Sequence, residues 1–275
     1  MGKLADAETA EFVKGLVYGD GGSGKTSALI SLIEAEYELR IWDFDNLLKP
    51  LVAMIKSRCP DRIDQVRVQT FTDKLKGVDI PLTMVGNSLK VMPNNSGTPT
   101  AYASGLKQLT RWKDGDEDLG DPATWGKETV VVIDSLTSAS TAAFRYVQAM
   151  NPMAKEPQTY YFAAQQLIMN LIQLLCSESF ATHVLVLAHL NYDKDKEGNI
   201  LKGFPKSIGS ALNTQIATSF NTALLVESFG NDGKRQIRTR STGLVDLKNP
   251  AVFTGLPDRL PAETGLADYF SAFRS

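Results

Sequence analysis

The sequence predicts an α/β fold: helices flanking a mostly parallel central sheet, with antiparallel strands near the C-terminus. Three observations predict it. Short apolar runs alternate with stretches of helical period, as a parallel sheet covered by helices requires. A glycine-rich segment, GDGGSGKTS (19–27), separates the first apolar run from the first helical stretch. Two runs, VVVID (130–134) and HVLVLAH (183–189), are apolar enough to be strands buried on both faces.

The elements follow in order. Phe12 to Tyr18 reads as the first strand and Lys25 to Glu36 as the first helix. ELRIWDFD (38–45) and QVRVQT (65–70) read as the next two strands. Residues 71–128 form a long detour. Within it PLTMVGNSLKVM reads as a hairpin turning at Gly86–Asn87, and a helix is expected to start with Thr98 as N-cap and Pro99 in first position. KDGDEDLGDP (113–122) reads as an acidic surface loop. After VVVID, residues 161–177 place Leu167, Ile168, Leu171, Ile172 and Leu175 on one helical stripe, a core face. FNTALLVES, KRQIRTR and LVDLKNP read as late strands, with tight turns at Gly230–Gly233 and Thr242–Gly243. The expected organisation is one domain over residues 1–254, carrying 71–128 as an insertion, then a short C-terminal tail over 255–275.

Composition narrows the function classes. The chain has 275 residues, 43% hydrophobic and 22% charged, enough for one large core, or one core plus a small appendage. A formal net charge of -2 argues against indiscriminate polyanion binding, so nucleic-acid contact would need local basic patches. Cys59 and Cys176 lie far apart without CxxC spacing, which suits a reducing interior better than a disulfide framework or a zinc site. The N-terminal stretch lacks an apolar signal region, and no run approaches the ~20 apolar residues that span a bilayer. A cytoplasmic protein without a membrane partner is expected.

GDGGSGKTS carries the clearest chemistry. Gly19, Asp20, Gly21, Gly22, Ser23, Gly24, Lys25 and Thr26 fit G-x-x-x-x-G-K-[ST] between a strand and a helix, and Ser27 follows in the first helical turn. Glycines let backbone N–H groups converge on phosphate oxygens at a helix N-terminus. Lys25 would reach the β- and γ-phosphates, and the Thr26 hydroxyl would ligate Mg²⁺. Asp134, at the tip of an apolar strand, would complete the Mg²⁺ site, or cap the following helix, or do both.

Many nucleotide hydrolases follow the metal acid with a glutamate that activates water. Here Ser135 follows Asp134, so the water-activating carboxylate must come from another strand. Asp43 and Asp45 close the second strand two residues apart, hence on one face, at the strand ends where open α/β sheets bind ligands. Asp45, the outermost, is the expected base and Asp43 the alternative. A purely structural reading has Asp45 or Asn46 capping a helix near Leu48.

These residues resemble RecA-like recombinases, whose corresponding strand also ends Asp-Ser before an apolar residue. The nearest likeness is to phage-encoded single-domain RecA-like P-loop ATPases, some of which act in single-strand annealing. It covers most of residues 12–250 and is motif-specific at the P-loop, DFDN, VVVIDSLTS and VLVLAHL…KGFPKSIGSALN. Asp43-Phe44-Asp45 is similar to the Asp-x-Glu of the archaeal and eukaryotic branch, with the shorter acid in the base position. The resemblance implies ATP and Mg²⁺ as cofactors and a homo-oligomer, ring or filament. It implies that His189 senses the γ-phosphate and that the loop after it, 191–213, contacts single-stranded DNA through Lys194, Lys196, Lys202 and Lys206. Asp193, Asp195 and Glu197 dilute that charge, and a solvated loop is the bland alternative. It also implies that late-strand cations, here Arg240 and Lys248, reach the neighbouring subunit's γ-phosphate; exposed strand charges are the alternative.

The implied function is an ATP- and Mg²⁺-dependent oligomeric ATPase binding single-stranded DNA in phage recombination or replication, with a phage single-strand binding protein as a further partner. A small-molecule P-loop kinase and a non-enzymatic nucleotide switch in phage assembly are the competing readings.

Overall fold

The computed structural model describes residues 11–73, 82–85, 88–91, 99–151, 157–230 and 233–274. In chain order these form β1 (Lys14–Gly19), α1 (Lys25–Ala28), α2 (Ile30–Glu34), β2 (Glu38–Asp43), α3 (Lys49–Arg58), β3 (Val66–Thr70) and the hairpin β4 (Leu82–Val85) and β5 (Ser88–Val91). Then come α4 (Ala101–Thr110), β6 (Trp112–Asp114), β7 (Glu117–Gly120), β8 (Gly126–Asp134), α5 (Leu136–Met150) and α6 (Pro157–Cys176). The chain finishes with β9 (Thr182–Lys194), β10 (Ile200–Pro205), α7 (Ser210–Ile216), β11 (Thr222–Phe229), β12 (Lys234–Arg238), β13 (Arg259–Pro261) and α8 (Gly265–Arg274).

The main sheet runs β13-β12-β11-β1-β9-β8-β2-β3, with β10 paired to β9. Strands β11 through β3 are mutually parallel, whereas β12, β13 and β10 pair antiparallel. This is the expected α/β architecture. The two most apolar runs, β8 and β9, sit side by side in the middle. Alternation divides their side chains between two cores: Val131, Ile133, Val184 and Val186 face α4 to α7, while Val130, Val132, Leu185 and Leu187 face α1, α2, α3 and α8. Each such fully buried side chain contributes roughly 1.5–3 kcal/mol. Register therefore fixes which residues emerge at the C-terminal edge: Gly19 opposite His189, and Asp43 opposite Asp134.

Several elements differ from the sequence reading. Helix α4 starts at Ala101, and its first N–H groups are capped from a distance: Asp73 Oδ1 accepts from Thr100 N and Ala101 N, both at 3.0 Å. Thr98 lies outside the described residues. The acidic stretch 113–122 is largely a hairpin, β6–β7, and not a loop. Trp112 at its base is buried against Trp42, ring centroids 4.2 Å apart, and its acids pair with arginines: Glu117 with Arg67 at 2.6 Å, Asp118 with Arg111 at 2.7 Å. LVDLKNP makes only isolated bridges, Val245 to Gly203 and Lys248 to Ala223. The third C-terminal antiparallel strand is β13 instead. Residues 255–275, expected as a tail, supply β13 and α8, which bury Leu260, Leu266, Tyr269 and Phe270. Among the described residues no helix is long and apolar enough to cross a membrane.

Candidate active site

The P-loop follows β1 directly. A Cβ at Gly19 would collide with the Val226 carbonyl of β11, so only glycine lets the chain leave the sheet there. Gly22 and Gly24 take positive φ, 75° and 100°, turning the loop into α1 while Gly21 stands exposed beside them. Lys25 is buried, and its ammonium donates to the carbonyls of Gly19 and Asp20, each at 2.9 Å. Burial lowers its pKa, while Asp134, Asp20 and Asp45 oppose the shift, so three carboxylates surround this lysine. Ser23 Oγ is buried without a hydrogen-bond partner. An orphaned hydroxyl inside a glycine loop is what a phosphate-binding cradle would leave for a ligand oxygen. Ser27, half-buried in the first turn of α1, faces a cavity on the far side of the loop.

Beside the loop, Thr26 Oγ1 donates to Asp134 Oδ2 at 2.8 Å. Asp134 is buried, and desolvation raises its carboxyl to about 7; the Thr26 bond and Lys25 pull the other way. One hydroxyl and one carboxylate are hard oxygen donors of the kind Mg²⁺ takes when phosphates and water supply the rest. Among the described residues there is no cluster of three or more metal-binding side chains, and such a two-donor site needs none.

The two acids at and just after the end of β2 part company. The strand ends at Asp43, so the alternation that would put Asp43 and Asp45 on one face stops there. Asp43 turns back into its own loop: Oδ1 accepts from Asp45 N at 3.0 Å and Asn46 N at 2.7 Å, and Oδ2 accepts from Thr70 Oγ1 at 3.2 Å. Asn46 takes φ 55° to close this turn, and α3 begins without a side-chain cap from Asp45 or Asn46. Asp45, half-buried, faces the P-loop and accepts a hydrogen bond from Ser135 Oγ at 3.0 Å. Ser135 also caps α5, accepting from Ser138 N.

His189 stands next to Gly19 across the sheet, with a pKa lowered by partial burial and then by the nearby Lys25 ammonium. Its backbone N–H donates to Thr137 Oγ1 at 3.1 Å, and the Thr137 hydroxyl donates to the Lys206 carbonyl at 2.9 Å. Residues 191–213 are therefore not a loop. β9 continues to Lys194, turns through Asp195, whose carboxylate accepts from Glu197 N and Asn199 N at 2.9 Å each, and returns as β10. Lys194 and Lys196 are exposed at the tip and Lys206 at the root. Lys202 is tied to Asp246 at 2.7 Å. Tyr192 reaches the P-loop, its hydroxyl donating to Asp20 Oδ2 at 3.2 Å.

The two late-strand cations are otherwise engaged. Arg240 pairs with Asp258 at 2.8 Å. Lys248 donates to the carbonyls of Thr218 and Phe220 at 2.7 and 3.0 Å, near the N-terminal end of β11 and away from the P-loop edge. The basic residue at the P-loop is instead Arg235, whose side chain crosses Gly24. The basic run that contains it was visible in sequence. The twist that lays Arg235 over the loop was not. Thr137 had no sequence signal either, its partners lying 52 and 69 residues away.

The profile of an AAA domain matches residues 11–251. No curated protein sequence matches the chain. Among solved structures it is similar to the RadB recombinase, with 17% identity over 84% of this chain and 84% of that one and a TM-score of 0.44. It is also similar to an ATPase of the type III secretion system of pathogenic bacteria: 7% identity, 78% of this chain, 52% of that one, TM-score 0.45. A third likeness is the flagellar accessory protein FlaH from Methanocaldococcus jannaschii, with 10% identity over 82% and 76% of the two chains and a TM-score of 0.35. With its P-loop at the edge of a mostly parallel sheet, the chain has the fold of a P-loop NTPase and belongs to the AAA-domain family.

Proposed function

We propose that this protein hydrolyses ATP with Mg²⁺ and couples the reaction to single-stranded DNA held by the β9–β10 hairpin. The observation that carries the hydrolytic half is the pair of hydrogen bonds flanking Lys25: Thr26 to Asp134, and Ser135 to Asp45. One acid is committed to a metal-type donor set. The other is oriented over the phosphate loop, and among the described residues no cation forms an ion pair with it. On this reading Lys25 leaves the Gly19 and Asp20 carbonyls to bind the β- and γ-phosphates. Asp45 takes a proton from water as its oxygen bonds to the γ-phosphorus, and the bond from phosphorus to the β,γ-bridging oxygen breaks, leaving ADP and phosphate. Thr26 and Asp134 would hold Mg²⁺, which neutralises charge between the β- and γ-phosphates when bound. Ser135 keeps the short Asp45 side chain aimed, and His189 contacts the γ-phosphate.

The DNA half is supported by exposed Lys194 and Lys196 at the hairpin tip, and by the hairpin root meeting His189 through Thr137. The homo-oligomeric ring or filament, the phage setting and a single-strand binding partner rest on the family resemblance alone. Arg240 and Lys248 keep their assigned role towards a neighbouring subunit only if their present partners exchange on assembly. Phosphate release with and without single-stranded oligonucleotide is the test. Stimulation by DNA fits this reading, whereas turnover indifferent to DNA would remove its second half, and no turnover at all would leave a nucleotide switch.

A further inference from the structure

A cavity of about 260 Å³ lies between the β9–β10 hairpin and α7. Asn191 and Asp193, two residues apart on β9, line one side together with half-buried Phe204, which pairs with Asn191 across the hairpin. Tyr192, between them, points the other way, to Asp20. Ser210, Ala211, Asn213 and Thr214 of α7 form the opposite wall. Neither the P-loop, Asp45, Asp134 nor His189 lines it. Its hydrogen-bonding groups are unevenly divided. The Asp193 carboxylate is exposed, and among the described residues it accepts no hydrogen bond and forms no ion pair; Lys202, opposite it on β10, is bonded to Asp246. Asn213 is buried, and its Oδ1 accepts from Ser207 N and Ser207 Oγ, both at 2.8 Å, so its amide N–H groups are what it offers the cavity. A carboxylate beside a polyanion repels the phosphates. In a hairpin that holds single-stranded DNA, Asp193 therefore helps only by meeting the donor edge of a base.

We infer that this cavity takes one unpaired base of the bound strand and selects guanine, an inference that rests on the DNA reading of the hairpin. The phosphates follow Lys194 and Lys196, exposed just beyond Asp193, while the base turns from them towards α7. In a single strand the Watson–Crick edge is free to be read. Guanine alone presents there two adjacent donors, N1–H and N2–H, for the two oxygens of the Asp193 carboxylate. Next to them its O6 accepts from the Asn213 amide. Cytosine and adenine each offer a single exocyclic amino group beside ring acceptors. Thymine sets its one donor between two carbonyl oxygens, which a carboxylate repels. The Phe204 ring gives any of these bases a face to stack on, so it adds affinity without choosing among them.

The test is fluorescence anisotropy with labelled oligonucleotides of equal length, Mg²⁺ and a non-hydrolysable ATP analogue being present. One strand is all thymine, one carries guanine at every third position, and one carries hypoxanthine there, which lacks the 2-amino group. The guanine strand should bind at least about tenfold more tightly than the thymine strand, the discrimination that a bidentate pair gives, with hypoxanthine between them. Asp193→Asn keeps the shape of an exposed side chain and removes its charge. It should bring the guanine and thymine strands within about twofold of each other. Its affinity for the thymine strand should hold or rise, which also reports an intact hairpin. Equal binding of the two strands by the unaltered protein, or a preference that survives in Asp193→Asn, would overturn the base pocket and leave the DNA reading standing. Binding of neither strand would overturn the DNA reading and the pocket with it.

Discussion

Replacing Asp45 by asparagine isolates the chemistry of one carboxylate. The amide side chain has the same shape, and its carbonyl oxygen can still accept from Ser135 Oγ, which lies 3.0 Å from the present carboxylate. Position 45 is half-exposed and carries no core packing, so folding should be unaffected. What disappears is the ability to take a proton from water. A positioned base is worth roughly 10²–10⁴ in rate, or about 3–5 kcal/mol in the barrier. D45N should therefore bind ATP within about twofold and turn over at least about a hundredfold more slowly, measured by coupled phosphate release beside equilibrium nucleotide binding. Ser135→Ala should lie between the two, near tenfold, because it loosens the carboxylate without removing it; hydrogen bonds to charged groups contribute about 1.5–3 kcal/mol. Asp43→Asn should act chiefly on thermal stability, since Asp43 spends both oxygens on its own turn and on Thr70. Normal turnover in D45N, with a folded but inactive D43N, would refute the reasoning and move the base back to the end of β2.

Three other outcomes follow from single contacts. Lys194→Ala and Lys196→Ala should each shallow the log–log salt dependence of single-strand binding by about 0.7. Lys202→Ala should leave that slope alone, its ammonium being held 2.7 Å from Asp246; fluorescence anisotropy over a salt series decides it. Thr137→Val removes both hydrogen bonds at the hairpin root, so basal turnover should stay within about threefold while stimulation by oligonucleotide is lost; retained stimulation would cut the link between hairpin and site. His183 is buried, its Nδ1 accepting from Val13 N at 2.9 Å, and burial followed by the charge of Arg274 pushes its pKa from 6.5 to about 3. A depressed folded value means the neutral ring is favoured: up to ~5 kcal/mol of stability is present above pH 6.5 and is lost as pH falls towards 3. His183→Gln should flatten the fall in unfolding temperature over that window.

Local order explains which parts of this molecule could be read from sequence. The P-loop and β8 declare themselves because strand, glycine turn and helix are contiguous, and apolar runs need no distant partner to be recognised. Asp134 was legible for the same reason. Asp45, the proposed base, could be narrowed in sequence only to one of two acids, because what separates it from Asp43 is a turn at Asn46 that no periodicity encodes. The hairpin was misread as a loop, since its glycines and charges look like solvent-facing coil until Tyr192 ties it to the P-loop and Thr137 ties its root to α5. Likewise, β13 is three residues long, and α8 shows its apolar face only once β12 is there to cover. Lys248 shows the converse failure. Its place in a basic run suggested an outward cation, yet the carbonyls of Thr218 and Phe220, in and just after the short 3₁₀ turn Ala217–Ser219, capture it.

On the proposed reading, the residue after Asp134 accounts for the missing glutamate. Where that position holds a glutamate, the metal acid and the base ride on one strand and share its register. Here the proposed base, Asp45, lies just beyond β2, one strand further out, and its carboxylate is one methylene shorter than the glutamate of the Asp-x-Glu motif it resembles. Two strands that must cooperate need a link stiffer than their shared backbone ladder. Ser135 provides one: its backbone follows Asp134, its hydroxyl holds Asp45 at 3.0 Å, and the same oxygen caps α5. Phe44 N and Asp45 N add a second link by donating to the Asp134 carbonyl. On the proposed reading the serine is the means by which a short acid beyond the neighbouring strand is held in place. The first turn of α5 carries that hold onward, because Thr137, two residues later, grips the strand of His189 and the hairpin root together. Hydrogen bonds thus join the hairpin root to the helix whose N-cap holds Asp45, and on the proposed function this is the route by which a strand of DNA bound to the hairpin would alter the rate of hydrolysis.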